Sequence, residues 1–153
     1  MMNRILFVLS IVMIVVGCGT TNNLESNTVE FDVISKGILG GAGAEGIEKQ
    51  NLVITDTESW KALISKIDSG NTISPSFSEI NIDFSNYTVI AVFDNVKNSG
   101  GFGLDLEVKS DLKNTIIQIV KTAPGPTDFV TMMITQPYCI IKIPKTGLPV
   151  VFE

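Results

Sequence analysis

The chain has 153 residues, 11 Lys plus Arg against 16 Asp plus Glu, a net charge of −5, and no histidine. That length suits one domain with a sizeable core, and an acidic balance without any basic cluster speaks against a nucleic-acid partner, because such binding rests on Lys and Arg neutralising phosphates. Without histidine the usual general base near neutral pH and the commonest metal ligand are both missing, so Ser-His-Asp and Cys-His catalysis and most zinc sites fall away, and neither a metal nor a cofactor is expected.

The chain opens Met-Met-Asn-Arg and then runs apolar from Ile5 to Val16, broken only by Ser10. Twelve helical residues rise about 18 Å, short of the roughly 30 Å hydrocarbon core of a bilayer, so the segment reads as a secretion signal and not as a spanning helix. Its end, Val15-Val16-Gly17-Cys18, resembles the lipobox of bacterial lipoproteins. The resemblance implies that residues 1–17 are a signal peptide that is removed, that Cys18 is lipidated with palmitate-type acyl chains and becomes the new N-terminus, and that the protein is held at a membrane of the cell envelope, on its periplasmic face or at the cell surface. An ordinary signal peptide or a buried N-terminal helix is the alternative. Residues 18–28 are polar and patternless and read as a tether, and the ten residues after Cys18 reach at most about 35 Å.

From residue 29 to 153 a single globular domain is expected. Val29 to Val33 alternates apolar and charged residues, as a half-buried strand does, and Gly37 to Gly46 is too glycine-rich for anything but a loop. Asn51 to Thr55 reads as a strand. Trp60, Leu63, Ile64 and Ile67 follow at i, i+3, i+4 and i+7, the stripe of one amphipathic helix, with Thr55 and Glu58 placed for a capping box and Gly70 for the C-terminal cap. Tyr87 to Phe93 is apolar throughout and predicts a central strand; Phe102, Leu104, Leu106 and Val108 alternate with Gly103, Asp105, Glu107 and Lys109, which predicts a strand with one wet face. Asn114 to Lys121, Phe129 to Thr135 and Tyr138 to Ile143 complete the set, with turns at Asp111 to Asn114 and at Pro124-Gly125-Pro126. The predicted class is α+β, mostly antiparallel β: a compact sheet or sandwich with one early amphipathic helix.

Several motifs carry a functional and a plainer reading. Gly41-Ala-Gly43-Ala-Glu-Gly46 spells the dinucleotide-binding pattern, but that mechanism needs a helix starting at the glycines, whereas a strand follows and Glu45 would repel a phosphate. Asp68-Ser69-Gly70 has the letters of an aspartic protease triplet but sits at the end of the predicted helix. Asp105 and Glu107 share one strand face about 7 Å apart, compatible with acid-base work or calcium as well as with a solvated surface. Trp60 falls on the helix's apolar stripe and reads as a core anchor. With Cys18 lipidated, Cys139 has no disulfide partner; its apolar surroundings predict a buried, inert thiol.

Three segments in order resemble one family: Ile82-Asp-Phe-Ser-Asn-Tyr-Thr-Val-Ile-Ala-Val-Phe93, Asn98-Ser-Gly-Gly-Phe-Gly-Leu-Asp-Leu106, and Thr135-Gln-Pro-Tyr-Cys-Ile-Ile-Lys-Ile-Pro144. Together they resemble the C-terminal domain of protease complex subunit PrcB proteins, best over residues 87–145. The resemblance implies a lipid-anchored envelope protein that is no enzyme and acts as an accessory or binding subunit, with an envelope protease or another protein as partner and the membrane reached through Cys18. Gly100, Gly101, Phe102 and Tyr138 are the candidate contacts, with a structural turn needing φ > 0 as the equal alternative for the two glycines. A chagasin-like protease inhibitor, which also presents a Gly-aromatic loop, is the alternative function.

Overall fold

The computed structural model describes residues 27–153, so the signal segment 1–17, Cys18 and the tether as far as residue 26 lie outside the described residues. Eight strands and one α-helix follow in the order β1 (Asn27–Thr28), β2 (Asp32–Leu39), β3 (Gln50–Ile54), α1 (Thr57–Ile67), β4 (Tyr87–Phe93), β5 (Gly103–Ser110), β6 (Thr115–Thr122), β7 (Gln136–Pro144) and β8 (Val150–Phe152). They form two four-stranded sheets, ordered β1-β5-β6-β8 and β2-β7-β4-β3. Every pairing is antiparallel except β6 with β8.

The second sheet is the middle layer of three. Along β4 and β7, Val89, Ala91, Phe93, Tyr138 and Ile140 pack toward α1, which presents Trp60, Leu63 and Ile67. The alternate residues, Ile90, Val92, Cys139, Ile141 and Ile143, pack against Leu104, Leu106, Val108 and Ile117 of the first sheet. A strand covered on both faces needs apolar residues at every position, which is why these two read as continuous apolar runs while β5, covered on one face, alternates.

The helix begins one residue later than a cap at Thr55 requires. Asp56 is the N-cap, its Oδ1 accepting from the Ser59 N–H at 2.8 Å, while Glu58 lies in the first turn. At the other end Asp68 caps the helix and holds the next turn, accepting from the N–H groups of Ile73 and Ser74. Gly70 is not a left-handed cap; a Cβ there would stand 2.8 Å from Glu45 Oε1, so close packing against that carboxylate is what requires glycine.

Three further expectations differ from the structure, and one short strand has no counterpart among them. The strand expected at Val29 to Val33 is β2, which starts at Asp32 and runs through Gly37 to Leu39, because Gly37 pairs with Tyr138 and the tyrosine ring covers it. The tether's last two residues, Asn27 and Thr28, pair with Ser110 and Lys109. Residues 129–134 form no strand; Thr135 alone makes a bridge, to Lys97. Finally β8, three residues too short to show a period, lies parallel to β6.

Trp60 fastens α1 to the sheet: it is fully buried, its Nε1 donates to the Ile80 carbonyl at 2.8 Å, and its ring lies 6.3 Å from that of Phe77. Trp60→Ala is therefore expected to lower stability in urea or guanidinium unfolding by about 3–5 kcal/mol. Trp60→Phe keeps most of the volume but orphans the Ile80 carbonyl, with an expected cost of about 1–3 kcal/mol.

Candidate functional site

Register determines which loops share a pole of the domain. Leu39 pairs with Gln136, Phe93 with Tyr138 and Gln50 with Phe93. The connections 40–49, 94–102 and 123–135 therefore all leave from one end of the middle sheet. The opposite end holds Asn27, paired with Ser110, and the turn from Asp111 to Asn114, where the Asp111 N–H donates to the Asn114 carbonyl.

At the loop pole a short polar network ties the 94–102 connection to the end of β6 and to the glycine loop. Asp94, 5% exposed, receives Lys121 Nζ at 2.7 Å and Lys97 Nζ at 3.0 Å. Burial alone would push its carboxyl up, but hydrogen bonds from Lys121, Lys97 and the Asn95 N–H, with the charge of Lys121, outweigh that and hold it at about 2. The buried Gln136 side chain donates from Nε2 to the carbonyls of Ile47 and Asp94, tying the glycine loop to the end of β4. The Lys97 ammonium also lies 5.1 Å from the centre of the Phe102 ring, within cation–π range.

The glycine loop closes on its own carboxylate. Glu45 is buried and its Oε1 accepts from the Gly41 N–H at 2.9 Å, and a Cβ on Gly41 would stand 2.3 Å from the same atom. The space a phosphate would need against the Gly41 amide is filled by the Glu45 side chain, and the strand β3 follows where a helix would be required. Asp68 spends its oxygens on the turn after α1, as described, and not on a catalytic partner.

The paired carboxylates are likewise separately engaged. Asp105 forms an ion pair with Lys36 at 2.6 Å, and Glu107 lies 3.5 Å from Lys109. Among the described residues no group of three or more His, Cys, Asp and Glu side chains converges on a point where a metal would sit. Cys139 is fully buried between the sheets, and burial pushes its thiol up to about 12.

The candidate contacts divide. Tyr138 is 4% exposed, with its ring against Phe93 at 6.1 Å and its hydroxyl 2.8 Å from Ser35 Oγ, so it belongs to the core between β2 and α1 and offers no outer surface. Gly100 is buried, and a Cβ there would stand 2.3 Å from Thr131 Oγ1. Gly101 has φ +86°, and a Cβ would meet Val130 and Pro124 at 3.0 and 3.1 Å. Both glycines are thus required by the 124–131 segment that crosses them. Phe102 is half-buried under Lys97.

What the sequence reading missed is the surface those glycines support. Phe129 and Met132 are fully exposed, Met133, Ile134 and Val96 about half so, and the run from Phe129 to Ile134 carries no charge. An apolar group of this kind gathered on one loop cluster is uncommon on a surface that meets only water. Read as a strand, the same residues would have been buried; the missing signal was the length of the 123–135 connection once β7 begins at Gln136.

Two outcomes follow from these environments. Asp94 titrates lower in the folded than in the unfolded chain, so its stabilisation is present above about pH 4 and is lost as pH falls toward 2. With Lys121 45% exposed, the effect is expected at about 1–2 kcal/mol. Urea unfolding across that window should show this part of the slope missing in Asp94→Asn. In a Cys18→Ser form, Cys139 should resist iodoacetamide at pH 8 until denaturant unfolds the domain.

Residues 88–144 match the family model described as PrcB C-terminal. No curated protein and no solved structure matches the chain. The matched stretch is a little over a third of the sequence and runs from β4 to β7, so it contains both doubly buried strands, the β5–β6 pair and two of the three loops at the apolar pole. The model that residues 88–144 match is that of the family which the three sequence segments resemble.

Proposed function

We propose that this chain is a lipid-anchored envelope protein, tethered through Cys18, which serves as a non-catalytic accessory or binding subunit of a protease complex. One observation carries the reading: the apolar face of Phe129, Met132, Met133 and Ile134 stands at the pole opposite Asn27, the end from which the tether leaves. Anchored through residues 18–26, the domain turns that face away from the membrane and toward another protein. The PrcB C-terminal match supports a protease complex as the setting. Asp94, Lys97 and Lys121 at the same pole are engaged with one another in holding the loops, which supports a binding role.

A second reading, a chagasin-like protease inhibitor, is favoured by the gathering of three loops at one pole, with Phe102 following the Gly100-Gly101 turn. Its test is direct: micromolar domain that leaves a panel of cysteine proteases unaffected removes it.

For the leading proposal, full-length protein should be recovered from its own gently solubilised membrane alongside a Cys18→Ser form. A protease or other envelope protein is expected to accompany the anchored form and to be lost with Cys18→Ser. Recovery of the anchored protein alone would overturn the accessory role.

A further inference from the structure

Sulfur is distributed unevenly over the domain. Of the five methionines in the sequence, Met1, Met2 and Met13 belong to the N-terminal segment, and only Met132 and Met133 fall among the described residues. The two are adjacent, 97% and 53% exposed, on the apolar loop at the pole. A thioether is an apolar side chain with a nucleophilic sulfur, and domains commonly use it to fill their cores. No buried methionine occurs among the described residues. The remaining sulfur, that of Cys139, is fully buried between the sheets, and its raised thiol supplies almost no thiolate to an oxidant at neutral pH. Among the described residues, sulfur open to an oxidant is therefore confined to the apolar face.

We propose that Met132 and Met133 form a modification site for hydrogen peroxide, and that their conversion to sulfoxides switches the apolar face off. This rests on the reading of the chain as a binding subunit and names a regulation of that contact. At each side chain a sulfur lone pair attacks one peroxide oxygen and the O–O bond breaks. The sulfur keeps that oxygen and is oxidised by two electrons. The hydroxide that leaves takes the proton of the transferred oxygen and departs as water. A flexible apolar group is thereby replaced by a polar, chiral one, and sulfoxide reductases can reverse the change.

The surroundings confine the effect to the face. On one side of the pair the Thr131 carbonyl accepts from the Gly100 N–H at 2.9 Å, and on the other Thr135 exchanges two backbone bonds with Lys97, at 2.7 and 3.0 Å. The side chains that hold this pole, Asp94, Lys97, Lys121 and Gln136, contain no sulfur. Oxidation thus leaves the support of the loop intact. On the face itself two of the four apolar side chains Phe129, Met132, Met133 and Ile134 become polar. A contact that buries apolar area loses that driving force, and it must now desolvate two sulfoxide oxygens as well. Met132, the more exposed of the two, meets the oxidant first.

The test treats full-length protein in nanodiscs with hydrogen peroxide and weighs the peptides after digestion. Two additions of about 16 Da each should appear at Met132 and Met133, Met132 first, with none at Cys139 until denaturant is added. The apolar dye anilinonaphthalene sulfonate, bound to the full-length Cys18→Ser form, should lose at least about half of its fluorescence on oxidation and regain it with sulfoxide reductases and a dithiol. The urea midpoint should not move. Met132→Leu with Met133→Leu, which stays apolar and forms no sulfoxide, should bind the dye as before and ignore peroxide. Methionines that resist peroxide, dye that does not bind or is not released, an equal loss in the double leucine variant, or a lowered urea midpoint would overturn the proposal. A partner that stays with the oxidised protein in membranes would overturn the switch while leaving the accessory role standing. The expected dye result with no membrane partner recovered would retain the switched face and remove the accessory role.

Discussion

Strands β4 and β7 have no face left for water, and the rest of the domain is arranged around that constraint. Their side chains alternate between two cores, one closed by α1 and the segment after it, the other by the sheet β1-β5-β6-β8. Because a one-residue slip would exchange the two sets, register is fixed tightly. Register in turn decides which loops meet: the pairing of Phe93 with Tyr138 and of Leu39 with Gln136 brings the glycine loop, the Gly-Gly-Phe turn and the 123–135 connection to one pole. Where the loops gather is a consequence of how the most buried strands pair.

At that pole the polar groups hold and the apolar groups face outward. Asp94, Gln136 and Glu45 are buried and each joins two loops or closes one; Gly100 and Gly101 let residues 130 and 131 pass close overhead. The segment they support lifts Phe129, Met132 and Met133 into solvent. A stiff polar base beneath an exposed apolar rim limits the ordering a partner must impose, which favours binding.

The sequence exposed its long-period features well. The apolar run of β4, the alternation of β5, the helical stripe from Trp60 to Ile67 and the two turns at 111–114 and 124–126 follow from side-chain period and turn chemistry, which are local. What it hid was decided by distant partners. Gly37 to Leu39 became strand because Tyr138 lies opposite; Asp56 displaced Thr55 as cap through one side-chain hydrogen bond; Phe129 to Ile134, rich in strand-forming residues, found no strand to pair with. The same nonlocality reassigns the candidate contacts. Tyr138, a candidate contact through the family resemblance, is a core residue once β2 and Phe93 are placed around it, whereas the exposed methionines carry no motif at all.

The proposed arrangement is polar: tether at one end, binding face at the other. Full-length protein in nanodiscs carrying a head-group spin label would test it through paramagnetic broadening of backbone amides. Strong broadening is expected around Asn27 and Leu112 and none from Phe129 to Ile134. Broadening of the 129–134 amides, with Leu112 untouched, would mean that the apolar loop enters the bilayer itself and would contradict a face reserved for another protein.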